Sequence, residues 1–147
     1  MQRRGLPRAS SQATAARIVL NDEMGKARIL VIDDEPAMRE VLQRLLDTAG
    51  YVTAFAANGA DGLVEYRRMP AVLVIVDLFM PEMDGLETIV ELGKESPAPA
   101  IIAMSGHPGR DVMLRCSERL GALETIGKPF EPAVLLQAVE RVLQREW

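Results

Sequence analysis

Short apolar runs alternate with segments of helical periodicity from Lys26 to the end of the chain. The apolar runs predict five buried strands, at Arg28–Asp33, Tyr51–Ala56, Ala71–Val76, Ala100–Met104 and Ala122–Ile126. Between and after them, apolar residues recur at helical spacing and predict five helices, over Pro36–Ala49, Asn58–Arg68, Gly85–Glu95, Gly109–Leu120 and Glu131–Arg145. The predicted order is therefore strand then helix, repeated five times.

Residue types at the helix ends support these boundaries. Asn58 is a suitable N-cap for the second helix, Gly50 follows the first helix, and Pro132 falls in the first turn of the last one. The third strand is apolar at every position, as expected of a strand that is covered on both faces. Five strand–helix units with short connections predict an α/β fold with a parallel sheet, right-handed crossovers and helices on both faces.

Carboxylates, a hydroxyl and an ammonium follow four of the predicted strands, in the order Asp33, Asp34, Asp77, Ser105 and Lys128. In parallel sheets ligands bind beyond the carboxyl ends of the strands, so these groups are expected to converge on one edge. Packed carboxylates remain ionised only if a cation joins them, and hard oxygen ligands suit Mg²⁺. Together with the lysine, such a metal would neutralise a phosphoryl group in transfer, for which a carboxylate can be the nucleophile.

Each of these groups also has a purely structural interpretation. Asp33 and Asp34 could be an N-cap and a solvated first-turn acid for the first helix, and Asp34 is expected to have such a role in either case. Asp77 and Ser105 could be turn residues, and Lys128 could be a solvated charge. The delivery of a suitable group at four separate strand ends favours a shared site.

Length and composition limit the class of protein. The 147 residues suit one domain, and the longest apolar run, Ala71–Val76, is far shorter than the roughly 20 residues of a membrane span. The single cysteine, Cys116, cannot form an internal disulfide, which favours a reducing compartment and hence the cytoplasm. Aromatic residues make up 4% of the chain, too few for a base-stacking surface.

Charge is unevenly distributed along the chain. Residues 1–24 hold four arginines and two acids, a net of +2, whereas residues 25–147 hold 13 basic and 19 acidic side chains, a net of −6. The first segment is predicted to be a flexible N-terminal extension, unless translation begins at Met24. The acidic remainder argues against direct contact with nucleic acid.

Four segments at the strand ends form a specific set of motifs, namely Ile29–Pro36 (ILVIDDEP), Asp77–Gly85 (DLFMPEMDG), Ser105–Gly106 and Lys128–Phe130 (KPF). The set resembles the receiver domain of two-component response regulators, and the likeness extends over about Ala27–Leu143. The resemblance implies a flavodoxin-like α/β fold. Its five parallel strands would lie in the order 2-1-3-4-5 between two layers of helices.

The resemblance also implies what the acidic residues do. Asp77 would accept a phosphoryl group from a phosphohistidine on a sensor histidine kinase or a histidine phosphotransfer protein. Asp33 or Asp34, together with Asp77 and the backbone carbonyl of Phe79, would hold Mg²⁺. Beyond this self-phosphorylation and its reversal, the protein is not expected to be an enzyme.

The remaining motif residues would contact the phosphoryl group. By the same resemblance, the Ser105 hydroxyl and the Lys128 ammonium would bind its oxygens, and the Lys128–Pro129 peptide would be cis. Thr125 departs from the family pattern, because most receivers carry Tyr or Phe there, so an aromatic rotamer switch is absent. Ser105 stands where Thr is commoner. His107 is either an exposed loop residue or a group that modulates attack by water.

The predicted organisation is the extension over residues 1–24 followed by a receiver domain over residues 25–147, with no output domain. Signalling would then pass to a downstream protein target or by onward phosphoryl transfer. On the last helix, Leu136, Leu143 and Trp147 form a second apolar line beside the core-facing stripe. This line is either a widened buried face or a patch for a partner or a second copy of the chain.

Three alternative classes of protein fit the sequence less well. A degenerate receiver would act as a binding module without phosphorylation, but the full set of site residues argues against it. A phosphatase of the haloacid dehalogenase class would need a second Asp where the chain has Phe79. A flavodoxin-like cofactor binder would need hydroxyls and glycines in the first loop, where the chain has Asp33, Asp34 and Glu35.

Overall fold

The computed structural model describes residues 26–80, 84–106 and 110–145. Within them, five strands form one parallel sheet: β1 Arg28–Ile32, β2 Val52–Ala56, β3 Leu73–Asp77, β4 Ala100–Ser105 and β5 Glu124–Gly127. Their order in the sheet is β2-β1-β3-β4-β5, which confirms the predicted topology. The N-terminal extension, His107, Gly109 and Trp147 lie outside the described residues.

Five helices follow the strands in the described part of the chain: α1 Pro36–Thr48, α2 Gly59–Arg68, α3 Gly85–Leu92, α4 Arg110–Leu120 and α5 Pro132–Gln144. The largest difference from the sequence prediction is at the end of α3, which stops at Leu92 instead of Glu95. There the N–H groups of Lys94 and Glu95 donate to carbonyls three residues back, at 3.1 Å each. The chain thus tightens into a 3₁₀-like turn instead of continuing the α-helix.

The two predicted N-caps have different outcomes. The side chain of Asn58 accepts the N–H three residues on at 2.8 Å, which confirms it as the cap of α2. The prediction that Asp34 caps α1 is wrong, because Glu35 occupies the N-cap position and makes no side-chain capping bond. The Asp33 carboxylate accepts the Glu35 N–H at 2.9 Å, and Pro36 begins the helix without an N–H to be capped. The turn is therefore closed by Asp33.

The sheet is buried between two helical layers. Successive residues of its central strands point to opposite faces, so alternate residues pack against different layers. One core cluster joins α1 and α5 to the strand residues Ile29, Val31, Leu73 and Ile75. A second cluster joins α2 and α3 to Leu30, Ile32, Val74 and Val76. Leu136 and Leu143 of α5 pack against the first cluster, as the widened buried face predicted.

Among the helices of the described ranges, none combines the length and apolar character needed to cross a bilayer.

Candidate functional site

The carboxyl ends of four strands bring polar side chains to one edge of the sheet. Asp33 directly follows β1, Asp77 ends β3, Ser105 ends β4 and Lys128 directly follows β5. The first three residues are almost completely buried, with exposures of 0%, 3% and 1%. Polar groups at this depth need hydrogen-bond or ionic partners. Their convergence defines the candidate site.

The Lys128 ammonium joins the acidic groups of this site. Its Nζ lies 3.0 Å from Asp33 Oδ2, 3.4 Å from Asp77 Oδ2 and 3.4 Å from Glu35 Oε1. The lysine side chain is 11% exposed and that of Glu35 is 63% exposed. The ammonium therefore balances two buried carboxylates and a third carboxylate at the rim.

Backbone N–H groups fix the orientation of the two buried carboxylates. The Glu35 N–H donates to Asp33 Oδ1 at 2.9 Å, and the Phe79 N–H donates to Asp77 Oδ1 at 3.2 Å. In each case the donor lies two residues after the acid, where the chain leaves the strand. From α1, Arg39 Nη1 donates to the Asp33 carbonyl at 2.7 Å and holds the same loop.

Burial and like charge act against the ionisation of Asp77. Burial, followed by the charge of Asp33, raises the pKa of Asp77 from its ordinary 3.8 to about 6, despite the opposing effects of Lys128 and the Phe79 N–H. Burial lowers the pKa of Lys128, but the hydrogen bond to Asp33 and the charges of Asp33, Asp77 and Glu35 outweigh it. The pKa of Lys128 is therefore raised above its ordinary 10.5. The lysine therefore stays charged, while Asp77 is protonated more easily than an ordinary aspartate.

The Ser105 hydroxyl is buried and has no hydrogen-bond partner among the described residues. Leaving a buried hydroxyl unpaired costs about 1–3 kcal/mol. The next residue, Gly106, lies against the lysine, because a Cβ at Gly106 would be only 2.8 Å from Lys128 Cβ. The end of β4 thus presents an unsatisfied hydroxyl next to the segment that carries the ammonium.

Gly85, the first residue of α3, packs directly on the end of β3. A Cβ at this position would collide with the Asp77 carbonyl oxygen and with Leu78 Cα. The missing side chain allows the start of α3 to rest on the backbone of the residue that carries the central carboxylate. This close contact holds the start of α3 against the end of β3.

A group of oxygens in this site fits a divalent cation. Carboxylate oxygens of Asp33, Glu35 and Asp77 lie within 4.8 Å of one another, and such hard donors suit Mg²⁺. Asp34, a predicted alternative ligand, is half-buried and does not belong to this group. Glu35 was missed by the sequence analysis as a site residue. The position of Glu35 directly after the two Asp residues could have indicated its role. The turn that Asp33 closes brings the Glu35 carboxylate to 3.4 Å from Lys128 Nζ.

The remaining predicted residues lie around this cluster. The Phe79 side chain is 57% exposed beyond the end of β3, while its backbone binds Asp77. Thr125 is half-buried in β5, in register with Ala103 of β4. The Lys128–Pro129 peptide is cis, as the resemblance implied.

Comparison with known proteins places this fold and site in one class. The family model of the response regulator receiver domain matches residues 29–140. The chain belongs to this family, the receiver domains of two-component response regulators.

Individual relatives cover most of the chain. Chemotaxis protein CheY of Thermotoga maritima is 36% identical over 120 residues, which make up 81% of this chain and 98% of that protein. The probable transcriptional regulator ycf27 of Porphyridium aerugineum is 40% identical over 124 residues, 83% of this chain and 50% of the regulator. The chain therefore spans about half the length of that relative.

Solved structures agree with the sequence relatives. The receiver domain of NtrX from Brucella abortus superposes with a TM-score of 0.74 at 30% identity, covering 79% of this chain and 98% of that domain. A response regulator receiver domain protein from Clostridium thermocellum gives 0.75 at 30% identity, covering 81% and 95%. Both confirm the CheY-like, flavodoxin-like fold.

Proposed function

We propose that Asp77 accepts a phosphoryl group from a phosphohistidine of a sensor histidine kinase or a histidine phosphotransfer protein, in a reaction that requires Mg²⁺. The observation that carries the proposal is the Ser105 hydroxyl, which is buried at the same sheet edge as the carboxylates and the ammonium and has no hydrogen-bond partner in the described ranges. The carboxylates already have partners in Lys128 and in backbone N–H groups. A phosphoryl group brings three acceptor oxygens, one of which would satisfy the hydroxyl.

Asp77 is the nucleophile in this proposal. One of its oxygens forms a bond to phosphorus while the P–N bond of the donor breaks, and the electron pair of that bond goes to the imidazole nitrogen. A pKa of about 6 leaves the carboxylate mostly ionised near neutral pH, as attack on phosphorus requires. The Phe79 N–H at Oδ1 keeps the carboxylate in one orientation.

Lys128 and Ser105 act on the phosphoryl oxygens. Lys128 Nζ already lies 3.4 Å from Asp77 Oδ2, so the ammonium needs only a small shift from the carboxylates to a group attached there. The Ser105 hydroxyl, which bonds to none of the described residues, would donate a hydrogen bond to a phosphoryl oxygen. In phosphoryl transfer the protein contributes mainly such positioning and charge stabilisation.

The oxygen ligands of this edge fit Mg²⁺. We propose that Asp33 or Asp34, together with Asp77 and the backbone carbonyl of Phe79, holds the ion. Carboxylate oxygens of Asp33 and Asp77 lie within 4.8 Å of each other and of a Glu35 oxygen, which supports these two acids as ligands. When bound, Mg²⁺ supplies positive charge against the phosphoryl oxygens.

The proposed signal leaves by protein contact. We infer a cytoplasmic protein that acts on a downstream protein target or by onward phosphoryl transfer, with a second copy of the chain as a further candidate partner. The net charge of −6 over residues 25–147 disfavours direct binding of nucleic acid. The phosphorylation-independent alternative leaves the buried Ser105 hydroxyl unexplained, and a phosphatase of the haloacid dehalogenase class lacks its second acid at Phe79.

The test is incubation with Mg²⁺ and acetyl phosphate followed by intact-mass measurement. The unaltered protein should gain one phosphate, and Asp77→Asn should gain none. Asp111→Asn is the matched control, because Asp111 is an exposed acid in the first turn of α4 and should leave uptake unchanged. Uptake by Asp77→Asn, or none by the unaltered protein, would contradict the proposal.

A further inference from the structure

A cavity of about 350 Å³ opens beside the acceptor site. It is lined by Glu35, Met38, Gly106, Lys128 and Pro129. Met38 and Pro129 supply apolar walls, and Glu35 supplies a carboxylate whose side chain is 63% exposed at the rim. The cavity therefore offers a mixed environment, apolar on its walls and negative at its rim.

Lys128 connects this cavity to the acceptor. Its ammonium contacts Asp77 Oδ2, and the same side chain forms part of the cavity lining. Because the lysine is shared, the cavity is adjacent to the place where phosphorus would meet Asp77. A leaving group that enters the cavity would contact this lining.

We propose that the cavity receives the imidazole ring of the phosphohistidine and that Glu35 determines specificity for this kind of donor. The Glu35 carboxylate accepts the N–H of the ring nitrogen that does not carry phosphorus, and Met38 and Pro129 contact the ring. This inference rests on the function proposed above, because it assigns the leaving group of that same reaction.

The charge of the leaving group gives Glu35 its effect. As the O–P bond to Asp77 forms and the P–N bond breaks, the ring keeps its N–H proton and departs as neutral imidazole. Positive charge remains on the ring in the transition state, where the Glu35 carboxylate stabilises it and raises the second-order rate constant. The same carboxylate repels acetyl phosphate, whose leaving group is anionic. Glu35 should therefore favour imidazole donors over acyl phosphates.

The experiment compares two small donors, N-phosphoimidazole and acetyl phosphate, at one ionic strength and saturating Mg²⁺. Second-order rate constants of phosphorylation come from intact-mass time courses. Glu35→Gln should lower the rate constant with phosphoimidazole about fivefold and raise that with acetyl phosphate about twofold, shifting the ratio on the order of tenfold, the low end expected for a charged hydrogen bond at an exposed site. Glu35→Lys should shift the ratio further in the same direction.

Glu40→Gln is the matched control. Glu40 lies on the same helix, pairs with Arg44 at 3.6 Å, and is 67% exposed outside the cavity lining. Its ratio should equal that of the unaltered protein. A Glu35→Gln ratio within about twofold of this control, or a change of both rate constants in the same direction, would overturn the inference alone. Failure of the unaltered protein to take phosphate from either donor would overturn the proposed function and this inference with it.

Discussion

The surroundings of Asp77 disfavour the ionised form of its carboxyl group. Asp77 is 3% exposed and shares the Lys128 ammonium with Asp33, and Asp33 lies closer to the ammonium than Asp77 does. The pKa of Asp77 is about 6 because burial and the charge of Asp33 raise it more than Lys128 lowers it. An acid that is destabilised when ionised is a reactive nucleophile, and phosphorylation would replace its bare charge with oxygens that Ser105 and Lys128 can bind.

The first prediction concerns the stability of Asp77→Asn without Mg²⁺. A carboxyl whose pKa is raised by folding destabilises the folded state where it is ionised, so the effect is absent below about pH 4, develops as the pH rises from about 4 to about 6 and stays constant above that. At pH 8 the substitution should raise the free energy of unfolding by about 1–3 kcal/mol. Denaturant midpoints measure this, with the same pair of proteins at pH 4 as the control. A variant clearly less stable than the unaltered protein at pH 8 would show that ionised Asp77 does not destabilise the folded state.

Among the elements, the contact between α3 and β3 holds the acceptor in place. Gly85→Ala would push a methyl group into the backbone of Asp77 and Leu78, so the helix and the strand end must separate. We expect a loss of about 1–3 kcal/mol in unfolding free energy and slower phosphorylation by acetyl phosphate.

Gly93→Ala is the control for this substitution. Gly93 follows the same helix with an ordinary helical φ of −64°, and a Cβ there would meet its nearest atom at 3.4 Å. Its unfolding free energy should change by less than about 1 kcal/mol. Equal losses in both variants would mean that the close approach at Gly85 does not matter.

The elements next to Ser105 and Lys128 differ in how firmly they are held. Of the side chains described in α4, that of Ser117 alone is buried. In contrast, Glu124 of β5 is bound by Arg141 at 3.0 Å and by Arg145 at 2.9 Å, which tie the strand to α5 and the residue after it. A network of this kind resists displacement more than an isolated surface pair does. Movement is therefore expected in α4 before β5.

Amide hydrogen exchange with and without beryllofluoride tests this expectation. Thr125 is too short to fill space as an aromatic ring would, so the response should pass through the segment after β4. Protection should change over residues 105–119 and remain nearly constant around Thr125. A dominant change centred on β5 would contradict this route.

For the whole molecule, Mg²⁺ should act as a stabilising ligand. The ion would bind the folded acidic edge and not the unfolded chain, so millimolar Mg²⁺ should raise the melting temperature. The increase should shrink strongly in Asp33→Asn/Asp34→Asn, with Asp111→Asn as the control for charge alone. An equal increase in the double variant and the unaltered protein would rule out these ligands.

The sequence predicted the architecture and most of the site, because both follow from periodicity along the chain. Apolar strands at Ile29–Ile32 and Leu73–Val76 dictate a parallel buried sheet, and a parallel sheet brings its strand ends together whatever the loops do. The conformation of a loop is not periodic, so Asp34 was misassigned as a cap and Glu35 was missed. Their places depend on contacts within the loop, such as the hydrogen bonds from the Glu35 N–H and from Arg39 to Asp33.

Chemical identification of the phosphorylated residue shows directly whether Asp77 is the acceptor. The protein is treated with acetyl phosphate and Mg²⁺, reduced with borohydride, which converts an aspartyl phosphate to homoserine, and then digested and sequenced by mass spectrometry. We expect homoserine at position 77 and aspartate at positions 33 and 34. Homoserine at another acid, or unmodified Asp77 in protein that has gained a phosphate, would contradict this expectation.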